Sequence, residues 1–282
     1  MEIRHVAAFS DGPAGGNPAG VVLLKAPLPE TEMARLAAEV GYSETVFAVQ
    51  LDAAGQTWRV RYFSPESEVP FCGHATIALG AVLGEELSLG NYQLTLNDAE
   101  IRVTASVDHD GVSATLASPP TLSRSLREIE QRDVLSLFGF DADDLNAALP
   151  PAYIHAGANH VCVVLKDRAR LAEMDYDLDE GRRLMRALDI ATVMLVFVEN
   201  DRQFEVRNAF ASGGVFEDPA TGAAAAAFAG YLRDKDWPHG DGFTIRQGMD
   251  MGCPCIIKVS MTGQPGASVL VSGGVRKMLP PF

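Results

Sequence analysis

The sequence predicts an α+β protein of two pseudo-symmetric halves, each a sheet wrapped around one central buried helix. Two observations carry this. Residues 71–83 (FCGHATIALGAVL) and 220–232 (ATGAAAAAFAGYL) each open on a small-residue turn with a glycine, then run on as apolar residues with no charge on any face. A surface helix keeps one polar side, so helices apolar all round must be buried on every side. The second observation is a weak internal repeat. GNPAGVVLL (16–24) is echoed by ANHVCVVLK (158–166), helix 31–40 by 180–188, strand 45–49 by 194–198, and Arg61 to Phe63 by Arg207 to Phe210, after which each copy reaches its central helix.

In chain order, residues 3–9 alternate as a first strand, and the turn-rich SDGPAGGNPAG (10–20) precedes a strand at 21–24. Thr31 is a natural N-cap for a helix over 31–40, whose Met33, Leu36, Ala37 and Val40 share one face, and Gly41 ends it. Strands follow at 43–49 and 57–63, then the first central helix, then strands near 92–96, 100–107 and 112–116. After Pro119 and Pro120 come a polar segment, a short helix over 130–138 and the second series. The boundary falls at 118/119, giving halves 1–118 and 119–282, with the last strand free to return to the first half.

Composition narrows the function. Hydrophobic residues make up 47% of the 282 and charged residues 21%, as in an ordinary globular protein. The balance of 23 basic to 37 acidic residues, net charge −14, offers no basic stripe for phosphates and excludes nucleic acid as a partner. The opening MEIRHVAAFSDG places charges where a signal peptide would be apolar, and no run reaches the length of a membrane span, so a cytoplasmic location with no membrane contact is the expectation. The four cysteines, Cys72, Cys162, Cys253 and Cys255, show neither a CxxC pair nor zinc-like spacing to histidine. With no phosphate loop, dinucleotide fingerprint or HExxH motif, the expectation is no metal and no cofactor.

The residues able to do chemistry cluster at the two helix starts: Cys72, His74 and Thr76 at one, Glu217, Asp218 and Thr221 at the other. Free N–H groups and the positive end of the dipole there suit a carboxylate ligand. Glu44 shares a strand face with Val46 and Ala48, so it points coreward, where a carboxylate is disfavoured unless paired or functional; outward register would make it a plain solvated charge. For His74 the bland alternative is a structural histidine, for Asp218 an N-cap, and for Cys72 a small buried residue. A racemase with a thiol from each half is excluded, because the second helix start offers Thr221 in place of a cysteine.

Taken together, FSDGPAGGNPAGVVL, GYSETVF, RYFSPESEVPFCGHATIALG, GGVFEDPATGAAAA and FTIRQGMDMGCP, spread over residues 9–254, resemble the PhzF-like phenazine-biosynthesis isomerase family of the diaminopimelate-epimerase superfamily. CGHATIA and EDPATG are the specific pieces. The resemblance implies a diaminopimelate-epimerase-like fold, a site between the halves and a homodimer. It implies that Glu44 is the general acid/base, that His74 and Asp218 hold the substrate and assist proton movement, and that Gly73 and Gly222 let the backbone approach the ligand's carboxylate. Cys72, Ala75, Thr221 and Ala223 complete the expected substrate-binding set. Two departures stand out: Ala223 occupies a place where the family often has serine, and Gly252, Cys253, Pro254 and Cys255 replace a Gly-Arg-Pro-Ser stretch. The expected activity is a cofactor-independent isomerase acting on a small carboxylate-bearing metabolite by general acid/base catalysis. The alternatives are an epimerase or racemase using Cys72, and a non-catalytic small-molecule-binding member of the fold.

Overall fold

The computed structural model describes residues 2–108 and 111–279. The chain divides into two compact units, Met1–Ala117 with Ser272–Phe282, and Ser118–Val271. The first contains β1 (Arg4–Ser10), β2 (Asn17–Leu24), α1 (Glu30–Val40), β3 (Glu44–Gln50), β4 (Thr57–Phe63), β5 (Glu68–Val69), α2 (Gly73–Glu86), β6 (Gly90–Thr95), β7 (Glu100–Asp108) and β8 (Gly111–Ala117). The second contains β9 (Leu122–Ser125), α3 (Glu128–Leu137), β10 (Ala152–His155), β11 (Asn159–Leu165), α4 (Arg168–Ala172), α5 (Leu178–Ala187), β12 (Thr192–Asn200), β13 (Gln203–Ala209), α6 (Gly222–Asp234), β14 (Gly242–Gln247) and β15 (Cys255–Ser260). The last strand, β16 (Leu270–Lys277), carries the chain back to the first unit.

In the first unit the strand order is β1-β2-β3-β4-β6-β7-β8-β16, and β16 also pairs antiparallel with β1, so the sheet closes on itself. Helix α2 fills the inside: Ala75, Ile77, Ala78, Leu79 and Leu83 are completely shielded from solvent. Two glycines set how closely it lies against the wall. A Cβ on Gly80 would stand 2.5 Å from Val103 Cγ2 and 3.0 Å from Ala114 Cβ, and one on Gly84 would stand 2.6 Å from Ala105 Cβ. Helix α1 covers the outside, setting Met33, Leu36 and Ala37 on Val22, Phe47 and Phe63.

The second unit runs β9-β10-β11-β12-β13-β14-β15. Helix α6 packs on one face of it with Ala224 to Leu232 buried, while α3 and α5 cover the other with Val134, Leu135 and Met185 on Val161, Val163, Val193 and Leu195. The repeat is clearest in strand direction. β2 and β3 are parallel and bridged by α1, as β11 and β12 are parallel and bridged by α4 and α5. An antiparallel hairpin follows in each unit, and then a second parallel pair spans the buried helix: β4 and β6 around α2, β13 and β14 around α6. A parallel pair needs a crossover, and here one crossover lies outside the sheet and the other inside it.

Several boundaries differ from the sequence expectation. Helix α1 starts at Glu30 after Pro29, whose backbone (φ −57°, ψ 144°) is already extended, so Thr31 lies inside the helix and is not its cap. β2 begins at Asn17, within the stretch expected as loop. Its entry is possible because Gly16 takes φ +85° at a point where a Cβ would sit 2.8 Å from Ala7 Cβ. α3 begins at Glu128, two residues early, stabilised by Glu130, whose buried carboxylate accepts from the Arg127 N–H and the Arg124 guanidinium. Helix α4 and strands β5, β9 and β10 have too few residues to show a period.

Replacing Gly80 by alanine adds a methyl group with nowhere to go, and overpacking of this kind typically costs about 1–3 kcal/mol. The urea midpoint of Gly80→Ala falls accordingly, whereas Gly73→Ala, whose added Cβ meets nothing within 4 Å, shows no packing loss. His160, on β11, is fully buried; Nδ1 lies 2.7 Å from Thr192 Oγ1 and Nε2 has no partner. Burial, helped by the nearby His155, holds its pKa down to about 3. The unfolded chain therefore binds a proton that the folded chain refuses, and stability falls as pH drops from about 6.5 toward 3. Urea midpoints measured between pH 7 and 4.5 fall less in His160→Gln than in wild type.

Candidate active site

The first cluster forms where β3 and α2 both begin. Gly41 ends α1 in the left-handed conformation (φ 71°), and three residues later the chain enters β3 at Glu44. Because Phe47 lies in the outer layer beneath α1, the alternation of the strand puts Glu44, Val46 and Ala48 on the inner face, toward α2. Helix α2 is entered through Cys72, in extended conformation at φ −141° and ψ 117°, with no side-chain hydrogen bond capping the first turn. Thr76 fixes this entry: its hydroxyl donates to the Cys72 carbonyl at 2.7 Å and accepts from the Tyr62 hydroxyl at 2.6 Å. Tyr62 is fully buried on β4, and burial raises its pKa far above the usual phenol range, so it stays a donor.

His74 therefore projects from a fixed helix start toward a fixed strand start. Its Nε2 lies 3.4 Å from Glu44 Oε2 and 3.4 Å from Ser43 Oγ, and its Nδ1 lies 3.4 Å from Cys72 Sγ. His74 is 7% exposed and the Glu44 side chain 16%, so the carboxylate is the more open of the two. Glu44 is thus the inward residue expected from its strand, and the solvated alternative does not apply. Ala75, expected in the substrate-binding set, is wholly buried and offers no exposed atom at this helix start. Gly73 has open space where a Cβ would be, so packing within the chain does not require glycine there.

The second cluster belongs to the second unit. Asp218 N donates to the Asn208 carbonyl at 3.0 Å, and the Asp218 carboxylate accepts from the Thr221 hydroxyl at 2.5 Å. Thr221 is the N-cap position of α6 but makes no side-chain cap, and Gly222 and Ala223 open the helix half-buried. Gln247, at the end of β14, ties the turn together. Its amide donates to the Asp218 carbonyl at 2.7 Å and to Thr221 Oγ1 at 3.2 Å, and its carbonyl accepts from the Thr221 N–H at 3.2 Å. Glu217, counted among the polar residues at this start, is a structural partner: it takes the Arg207 guanidinium through Nη2 at 2.6 Å and Nε at 3.1 Å, with its side chain 3% exposed.

Sequence reasoning missed Ser43, Gln247 and Asn208. The first two lie inside the quoted GYSETVF and FTIRQGMDMGCP stretches, where a polar residue beside an apolar strand was the available signal. Asn208 is fully buried on β13 with neither side-chain polar atom paired to protein, and it occupies the repeat position of Tyr62.

The phenazine biosynthesis-like (PhzC-PhzF) family profile matches residues 6–276. The chain belongs to this family. It is 30% identical over 285 residues to an uncharacterized isomerase of Escherichia coli O157:H7, covering 96% of this chain and 94% of that one. It is also 30% identical over 274 residues to the trans-2,3-dihydro-3-hydroxyanthranilate isomerase of Pseudomonas aeruginosa, covering 95% and 94%. Among solved structures, a PhzF-family phenazine biosynthesis protein of Bacillus anthracis superposes with a TM-score of 0.86 at 23% identity, covering 99% and 98% of the two chains. The PhzF-family protein described here is an isomerase with a diaminopimelate-epimerase-like fold. Among the described residues no helix is long and apolar enough to cross a membrane.

Removing the charge of Glu217 leaves the Arg207 guanidinium buried without a counter-ion. Breaking a buried pair from one side costs about 3–5 kcal/mol, so Glu217→Gln lowers the unfolding free energy by that order in urea titrations.

Proposed function

We propose that this isomerase works without a cofactor, moving a proton by general acid/base catalysis on a small carboxylate-bearing metabolite. The observation that carries the reading is the pairing of Glu44 with His74, 3.4 Å apart at the start of a buried helix, with the carboxylate the more exposed partner. Glu44 takes the proton from an acidic C–H, and the electron pair left behind moves through the conjugated system. The protonated carboxyl of Glu44 then delivers the same proton to another carbon. A base on one face of the substrate suffices for such a shift, whereas epimerisation needs a second base on the opposite face.

His74, held between Cys72 and Ser43, fixes the direction of the Glu44 carboxylate and offers a hydrogen bond to the substrate. The uncapped N–H groups at the start of α2, approached over the open space at Gly73, suit the substrate's carboxylate. Asp218 and Thr221 are assigned to substrate binding; the rigid turn built on Gln247 supports that role by presenting a fixed carboxylate and hydroxyl. The substrate of the Pseudomonas aeruginosa relative is a dihydro-hydroxyanthranilate, a carboxylate on a partly reduced ring, which supports the substrate class.

Loss of a general acid/base typically costs 10²–10⁴ in rate, and Glu44→Gln is expected to lose about that much kcat while keeping its fold by circular dichroism. Wild type run in deuterium oxide gives product with mainly protium on the carbon that gains the proton, because the proton Glu44 takes is the one it returns. Full activity in Glu44→Gln removes Glu44 from the reaction.

A further inference from the structure

We propose that Glu44, Cys72 and His74 also form a binding site for a thiophilic divalent cation, zinc above all, and that an ion bound there shuts the enzyme off. Among the described residues this is the only group of three such side chains whose ligand atoms, a carboxylate oxygen, a thiol sulfur and an imidazole nitrogen, all lie within 4.8 Å of one another. Zinc holds sulfur at about 2.3 Å, nitrogen at about 2.0–2.1 Å and carboxylate oxygen at about 2.0–2.2 Å, so neighbouring ligands on a tetrahedral ion stand about 3.3–3.6 Å apart. The separation of His74 Nε2 from Glu44 Oε2 is 3.4 Å, already in that range, and that from Cys72 Sγ is 4.0 Å. Cys72 Sγ now stands 3.4 Å from Nδ1, so binding requires the thiol to turn toward Nε2, and Ser43 Oγ lies 3.4 Å from Nε2.

The donor types are the ones zinc selects, and the thiol gives up its proton on binding. The sequence hides this site because one ligand comes from β3, 28 residues before the Cys-x-His pair that supplies the other two. Inhibition rests on the reading of Glu44 as the base, because a carboxylate bound to a divalent cation is a much weaker base and the ion stands between it and the C–H; metal binding itself does not depend on it.

The test uses the full chain, reduced and metal-free, titrated anaerobically with cobalt(II) and then with zinc in competition with a chromogenic chelator. One equivalent of cobalt gives a thiolate-to-metal charge-transfer band. That band is lost in Cys72→Ser and kept in Cys253→Ser, and zinc binds Cys72→Ser at least about tenfold more weakly. Near-ultraviolet circular dichroism confirms that each variant is folded. Isomerase activity of wild type falls in step with zinc occupancy and returns on chelation. No charge-transfer band, or equal zinc affinity in the two cysteine variants, overturns the site and leaves the Glu44→Gln result untouched. A band with undiminished activity establishes the site but overturns the inhibition, and with it the assignment of Glu44 as base.

Discussion

The first unit is organised by a helix that has no side to give to water. α2 is shielded from its second residue to the end of its third turn, so a sheet must close around it, and the polar residues of that shielded stretch, His74 and Thr76, gather where the chain enters it. The hydroxyl relay from Tyr62 through Thr76 to the Cys72 carbonyl satisfies three buried polar groups at once and pins the first turn. Cys72 and His74 inherit their positions from that relay. Glu44 inherits its position from the strand register that sets Ala19 opposite Glu44 in the parallel β2–β3 pair. The candidate site is therefore the meeting of two boundary conditions of the fold.

The second unit repeats the plan with different chemistry. Its buried helix has no threonine relay; the entry is held from outside by Gln247 and by the backbone of Asn208. Glu217 is spent on Arg207, whose guanidinium also donates to the carbonyls of Ala172 and Met174 and so ties the segment after α4 to β13. Duplication thus preserved the path of the chain and let the polar residues diverge, which is why one helix start carries a thiol and an imidazole and the other a carboxylate and a hydroxyl.

Much of this was legible because it follows from long-range pattern. All-round apolarity marked the two central helices, and the order of elements marked the repeat. Alternation along β3 placed Glu44 inward, and the CGHATIA stretch put Cys72 and His74 at a helix start. What escaped detection depends on single contacts across the fold. Glu217 and Asp218 are adjacent in sequence, and only the neighbour Arg207 shows that the first is structural. Pro29 displaced Thr31 as the start of α1, and a glycine at positive φ let β2 begin inside an apparent loop. The closeness of Glu44 to Cys72 could not be read from spacing, since it depends on which strand lies beside the start of α2.

The central claim is that a carboxylate seated beside His74 carries a proton from one carbon of the substrate to another. The most direct measurement is the fate of deuterium placed on the carbon that is to lose it, followed in ordinary water. The account predicts a primary isotope effect on kcat/KM and product in which that carbon has lost its label. Product formed at an unchanged rate, with the label still on its original carbon, would contradict it.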